Sequence, residues 1–248
     1  MLKKIVSILS VIALIALVAF ITVDFADKRK GDTCKDVQVL LMDEVGTSFI
    51  SKTEILRLLA DCGVQLKGKK LDCIDYEAVE QIVLRHKMVA RAECYACPSG
   101  VVCISIWQHI PILRLFYGNT SCYLDINGKK TGLSTLTAAD VLVASGSVND
   151  STTIRNLQKM ALLLQEHPDW DALIEQVYVE PNGEWVLVPR VSDAMIVFGR
   201  PFKMETKLNR VTVFMRDYLP KMGWNTYSTI NVKFDNQIVC TKKETGNE

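Results

Sequence analysis

The sequence predicts an α+β protein, with one N-terminal transmembrane helix followed by two small domains that mix strands and helices. Three observations predict it. Residues 5–23 carry no charged side chain. Between residues 34 and 110 the hydrophobic pattern runs strand–helix–helix–strand–strand. From 111 to 241 a second series of strands, interrupted by amphipathic helices, forms a mixed sheet whose terminal strand fits an edge or a paired interior position equally on the pattern alone.

Residues 5–23 are aliphatic apart from Phe20, Ser7, Ser10 and Thr22. At about 1.5 Å per helical residue they match the roughly 30 Å hydrocarbon core of a bilayer. A cleaved signal peptide would have a shorter apolar region and a small-x-small cleavage site. Cutting after Ala26 puts Asp24 at the third position back, and cutting after Ala19 puts Leu17 there. An uncleaved anchor is therefore expected. Lys3 and Lys4 precede the span and Lys28, Arg29 and Lys30 follow it, so charge alone leaves the orientation open. The short leading tail and long remainder favour residues 1–4 in the cytoplasm and the bulk exported, which is periplasmic for an inner-membrane protein. With 29 Lys+Arg against 28 Asp+Glu and no basic cluster, nothing predicts nucleic-acid binding.

In the first domain, 36–41 within "KDVQVLLM" reads as a strand. Ser51 with Glu54 three residues on is a capping box, followed by Ile55, Leu58, Leu59 and Cys62 at helical spacing and by Gly63 as a stop. Asp75 opens a second helix with Val79, Ile82 and Val83 on one face. Two strands follow, 88–96 and 101–110, around a turn at Pro98-Ser99-Gly100 that suits type I geometry with a left-handed Gly.

That hairpin carries "ECYACPSGVVC". Matching apolar faces sets Cys94 opposite Ile104 and Ala92 opposite Ile106, which places Cys103 on the other face with Trp107. A Cys94–Cys103 bridge would need a one-residue slip that sends Glu93 to the core side. Zinc would need a fourth ligand, and a second C-x-x-C is absent. A thioredoxin-type pair should open a helix, where the dipole lowers the thiol pKa. Structural thiols, a disulfide, and a tethered thiol-redox or metal-binding protein built on Cys94 and Cys97 stay open at this point. So does the pairing of all eight cysteines, although two domains of this size do not require stapling.

In the second domain "ILRLF" reads as a strand, and "CYLDINGKKTGLS" as a hairpin turning at Asn127-Gly128. A strand at 141–146 and an amphipathic helix from "STTIRNLQKMALLLQEHP", capped by Ser151 or Thr152, come next. Then follow strands "IEQVYVE", "EWVLVPR" and "AMIVFG", a helix over 202–219 marked by Leu208, Val211 and Met215, and a terminal strand in "YSTINVKFDNQIVCTKK".

The strand–helix–helix–strand–strand order behind a membrane anchor resembles a POTRA domain. Its closing stretch, Ile104 to Ile112, resembles the V-x-V-x-E-x-x-P-(I/V) end of that domain in the bacterial FtsQ (DivIB) division family, with Gln108 in the Glu place. "LRHKMVARAE" resembles the family's "HPWVKSA", with Lys87 in the Pro place. Asp125 and Gly128 match its "lvDxxG" hairpin, "VLVASG" its "LPxxxG", and "IVFGR" its "IxLxLG(R)". Val232, Lys233 and Phe234 stand in the L-R-Y places of its terminal strand, with Asn231 in the Asp place. On this resemblance, 34–110 is the POTRA domain, 111–241 the FtsQ-type β domain and 242–248 a disordered tail.

What the resemblance implies is a membrane-anchored divisome scaffold at the septum, binding FtsB and FtsL and helping to position septal peptidoglycan synthesis. Its contact residues would be Lys233, Phe234, Asn236, Gln237, Ile238 and Val239, on an edge strand open to strand addition. No catalytic residue, metal, cofactor or small-molecule substrate is expected. The residues themselves agree. His86, His109 and His167 fall on different elements, where a surface or boundary role is commoner than a ligand role, and no hydrolase, phosphate-loop or dinucleotide motif occurs. Asp169 and Asp171 follow Pro168, where Asp commonly starts a turn or helix, and Trp185 reads as packing.

Overall fold

A computed structural model describes residues 12, 14–17, 33–43 and 46–243. The apolar run 5–23 lies outside the described residues except for Ile12 and 14–17, which are helical, and no described helix is long and apolar enough to cross a membrane. The tail 242–248 is described only to residue 243. The chain divides into two compact units, the first ending at Gln108 and the second beginning at His109, with 47–49 belonging to the second.

The first unit is a three-stranded sheet with two helices. Strand β1 (Asp36–Leu41) runs parallel to β3 (Val101–Gln108), and β2 (Val89–Cys97) pairs antiparallel on its other side. Helix α1 (Lys52–Asp61) starts at the predicted capping box: Glu54 N–H donates to Ser51 Oγ (3.1 Å) and Ser51 N–H to Glu54 Oε2 (2.9 Å). Helix α2 (Tyr76–Val83) is capped by Asp75, which accepts from Ala78 N at 2.9 Å. Ile55, Leu59, Val79 and Val83 are buried, as are Val39, Ala92, Cys94, Ile104 and Ile106 on the sheet. The register is the one the apolar faces dictate, with Cys94 opposite Ile104 and Ala92 opposite Ile106.

The hairpin tip differs from expectation in two ways. Ser99 joins Gly100 in the left-handed region (φ 73° and 81°), so the turn is not type I. A Cβ on Gly100 would also lie 2.9 Å from the Thr33 carbonyl, which explains glycine there. And Cys97 is disulfide-bonded to Cys103. Cys97 faces Val101 and Cys103 faces Tyr95, so the two cysteines are diagonal neighbours on one face with Cα atoms 6.1 Å apart. That spacing is ordinary for a bridge. The alternation that disfavours Cys94–Cys103 thus permits Cys97–Cys103 without any slip.

The second unit holds a nine-stranded mixed sheet. Its strands are β4 (Pro111–Tyr117), β5 (Thr120–Asp125), β6 (Lys130–Thr131), β7 (Leu142–Gly146), β8 (Ile174–Val179), β9 (Trp185–Pro189), β10 (Met195–Gly199), β11 (Tyr227–Asn231) and β12 (Val239–Lys242). Their spatial order is β12-β11-β10-β9-β8-β7-β4-β5-β6. The parallel pairs β7–β8 and β10–β11 are each joined by helix, α3 (Ser151–Glu166) with the short α4 (Pro168–Asp171) in the first, and α5 (Met204–Val213) in the second. A π segment (Phe214–Tyr218) and α6 (Leu219–Met222) extend α5, so this helical stretch starts and ends a few residues later than the sequence predicts. The cap of α3 is Asp150, not Ser151 or Thr152; its carboxylate takes both Thr152 and Thr153 N–H groups. Leu157, Met160 and Leu164 of α3, and Leu208, Val211 and Met215 beyond, pack with Leu115, Val177, Trp185, Leu187, Phe198 and Ile230 of the sheet in one core.

The chain enters this unit through a buried polar latch. His109 Nδ1 meets Asp125 Oδ2 at 2.6 Å, both side chains being nearly fully buried. The other oxygen of Asp125 accepts from Lys129 N at 2.7 Å, across the turn whose Gly128 has φ 78°. One carboxylate therefore ties the β5–β6 turn to the incoming strand, which gives the D-x-x-G spacing its physical reason. His109 is correspondingly a buried, paired residue and not a surface one.

Candidate docking edge

The terminal sheet edge is built from β11 and β12, which pair antiparallel with Asn231 opposite Val239, Ile230 opposite Cys240 and Thr229 opposite Thr241. Among the described residues, strand β12 is the last in the sheet order and is bonded on one flank only. Which backbone groups face outward follows from alternation. Lys243 N–H donates inward to the Thr226 carbonyl (3.0 Å), and Val232 N–H donates away from β12, to the Val197 carbonyl of β10. Thr241 and Val239 therefore turn their N–H and C=O toward β11, while Cys240 and Lys242 turn theirs to the open side.

The structure places the sequence-predicted contact residues differently from a single strand. Only Val239 lies in β12. Lys233, Phe234, Asn236, Gln237 and Ile238 form the connection between β11 and β12, which bends at 234–236 with Asn236 in the left-handed region (φ 59°). Asp235-Asn236 is a turn signal that the sequence carries openly. Phe234 (47%) and Val239 (46%) remain among the exposed large hydrophobics.

This connection is held by α5. Arg210 donates through NH2 to the Val232 carbonyl (3.0 Å) and through NH1 to the carbonyls of Phe234 and Gln237, the last at 3.1 Å. Lys203 Nζ reaches Asp235 Oδ2 at 2.9 Å. One turn before Arg210, the buried Lys207 donates to the carbonyls of Phe198 (2.9 Å) and Arg200 (2.8 Å). Burial lowers its pKa. Lys207 thus fastens α5 to the end of β10 and presents Arg210, three residues on along the same helical face, to the loop. Between helix and loop lies a groove of about 340 Å³ lined by Asn209, Val213, Phe214, Tyr218, Gln237 and Ile238, among others. Its helical wall and the Arg210 contact were not legible as site residues. What marks them is the run of exposed apolar groups, Val213 and Tyr218, on an otherwise amphipathic helix.

Cys94 and Cys97 do not form the dithiol pair that the C-x-x-C spacing suggests. Residues three apart on a strand point to opposite faces, so Cys94 and Cys97 cannot act as a pair. Cys97 is bonded to Cys103, and burial, with the charges of Glu80 and Cys34 adding, pushes the Cys94 thiol up to about 12. This corrects the thiol-redox or metal reading. Among the described residues no group of three or more His, Cys, Asp or Glu could hold a metal ion. His86 accepts from Met88 N, His167 stacks on Trp170 at 4.0 Å, Asp169 and Asp171 sit in α4, and Trp185 is buried in the core.

Comparison with known proteins agrees with this architecture. Residues 32–107 match the family model of the POTRA-like domain, and residues 110–241 match that described as FtsQ/DivIB, C-terminal related. The chain is 25% identical over 223 residues to the Cell division protein FtsQ of Rhodothermus marinus, covering 84% of this chain and 79% of that protein. A family model spanning more than half of the sequence, behind a POTRA-like domain, places this chain in the FtsQ/DivIB family, with a role in cell division.

Proposed function

We propose that the protein is a non-catalytic scaffold of the division machinery whose β12 edge is completed by a strand of a partner chain. The partner is an FtsB-type division protein, acting with an FtsL-type protein to position septal peptidoglycan synthesis. Residues 5–23 anchor the scaffold in the inner membrane, and both units stand on the periplasmic side at the septum. One observation carries the docking step: the N–H and C=O groups of Cys240 and Lys242 face the open side of the last strand. An incoming strand pairs with them, while Phe234, Ile238 and Val239 and the adjoining groove receive its side chains. Lys233, Asn236 and Gln237 complete the contact.

The test is co-purification of the full-length protein with the FtsB and FtsL homologues of the same organism, co-expressed. Wild type should retain both. Cys240→Pro, which deletes an outward N–H, should lose them while remaining folded. Retention of both partners by folded Cys240→Pro would sink the proposal.

A further inference from the structure

We propose that Arg210 is the positioning residue of the docking edge: its guanidinium sets the course of the β11–β12 connection, and thereby the alignment of β12 and the depth of the groove. The inference rests on the docking reading above and concerns a half-buried residue that itself lines the groove, so the exchange measurement in the free protein is what separates positioning from direct contact.

The geometry is unusual in that one side chain serves three main-chain carbonyls, those of Val232, Phe234 and Gln237. These carbonyls bracket the bend, from the residue that leaves β11 to the one two positions before β12. Within the bend, Asn236 sits at φ 59°, a left-handed conformation that asparagine tolerates better than most residues, so the turn is locally encoded and Arg210 fixes its course. Arginine suits this work because its fork is planar, permanently charged and rigid. A lysine has comparable reach but a single donor atom, and it cannot address three carbonyls at fixed angles.

The arrangement has a cost, since Arg210 Nε is buried without a partner. Retaining a buried unpaired donor is reasonable where the other nitrogens do work that no smaller side chain would do. A second tie, Lys203 to Asp235, holds the outer side of the same bend; both groups are well exposed, so it adds little by itself. The helix is in turn immobilised by Lys207, so the chain of support runs from β10 through α5 to the bend. Groove residues on the helix (Asn209, Val213, Phe214, Tyr218) face groove residues on the connection (Asn236, Gln237, Ile238) across Arg210. If the clamp is lost, the second wall is free to move away from the first. An incoming strand must then order it at its own expense.

The experiment compares full-length wild type with Arg210→Lys, which keeps the charge and loses the fork, and with Asp235→Ala, which removes only the outer tie. Two readouts are used. In the free protein, amide hydrogen exchange of 232–242 should rise markedly in Arg210→Lys and little in Asp235→Ala, while β8, β9 and α3 stay as protected as in wild type. Affinity for the purified FtsB–FtsL homologues, measured by biolayer interferometry, should fall by about tenfold or more in Arg210→Lys, mostly through faster dissociation. Unchanged exchange over 232–242, or equal affinity of Arg210→Lys and wild type, would overturn the inference and leave the docking reading standing. Failure of wild type itself to bind would overturn the docking reading and this inference with it.

Discussion

Replacing Cys240 by proline is the sharpest perturbation the edge allows, because its consequences separate cleanly. Alternation along β12 turns the Cys240 N–H to the open side, so the β11–β12 ladder loses no bond. Proline is tolerated at an edge strand whose N–H faces outward, and Val239, now preceding a proline, is already extended. The fold of the second unit should survive. An incoming strand loses more. Its carbonyl opposite residue 240 has no donor, and the ring occupies the space that carbonyl would take. An unsatisfied group at a desolvated interface costs about 1–3 kcal/mol, or roughly 5- to 150-fold in Kd. Isothermal titration calorimetry with the FtsB-type partner measures the loss. Cys240→Ala is the control: it keeps the N–H, so its affinity should match wild type. The reasoning fails if Cys240→Pro binds as tightly as wild type, or if Cys240→Ala is as impaired as proline.

Further outcomes concern the interior of each unit. Unfolding the first unit in urea, Cys97→Ser/Cys103→Ser should be destabilised by about 2 kcal/mol, the chain-entropy value for so short a loop; no change would show the bridge to be dispensable. Under native conditions at pH 8, iodoacetamide should label the exposed Cys62 and Cys73 and leave Cys94 untouched until the protein is unfolded, as read by peptide mass spectrometry. Because the folded state holds the Cys94 proton up to about 12 against an ordinary 9.0, its contribution to stability is intact below about 9 and is lost as pH rises toward 12. Asp125→Ala leaves His109 Nδ1 buried without its partner and frees the β5–β6 turn; a loss of about 1–3 kcal/mol is expected by chemical denaturation.

The parts of the fold that were legible in the sequence are those governed by local rules. The capping box at Ser51, the Asp75 cap and the hairpin register all depend on residues a few positions apart, and they stand where the pattern puts them. The Asp150 cap was displaced by one residue because three consecutive polar residues could each fill the role, and only the backbone decides among them. The Cys97–Cys103 bridge escaped because pairing arguments weigh residues directly opposite, whereas a diagonal pair meets through side-chain reach. At the candidate site the edge position was inferred from resemblance and the bend was not. Asp235-Asn236 signals a turn, but the apolar residues around it also read as strand, and the contact that resolves them comes from Arg210, more than twenty positions away.

A comparison of two sheet edges supports assigning docking to β12. The first unit has two outer strands, β1 and β2, and on β2 the N–H of Cys94 in its middle is already taken: Glu80 of α2 accepts from it at 2.7 Å. A carboxylate laid across the centre of an edge is a guard, because an added strand would have to displace a charged acceptor and leave it unpaired. Cys240 and Lys242 have no comparable side-chain partner on their backbone groups among the described residues. Evolution can leave an edge open only where something usually covers it, or where a charge such as Lys242 restrains indiscriminate pairing. Glu80→Gln would be a milder change than Glu80→Ala, since the amide oxygen still accepts. If Glu80→Ala made the protein pair with itself in solution, as judged by light scattering, while wild type stayed monomeric at the same concentration, then Glu80 closes the β2 edge to chain addition. An unaltered molar mass for Glu80→Ala would mean that the β2 edge is protected by other means and that the contrast does not single out β12.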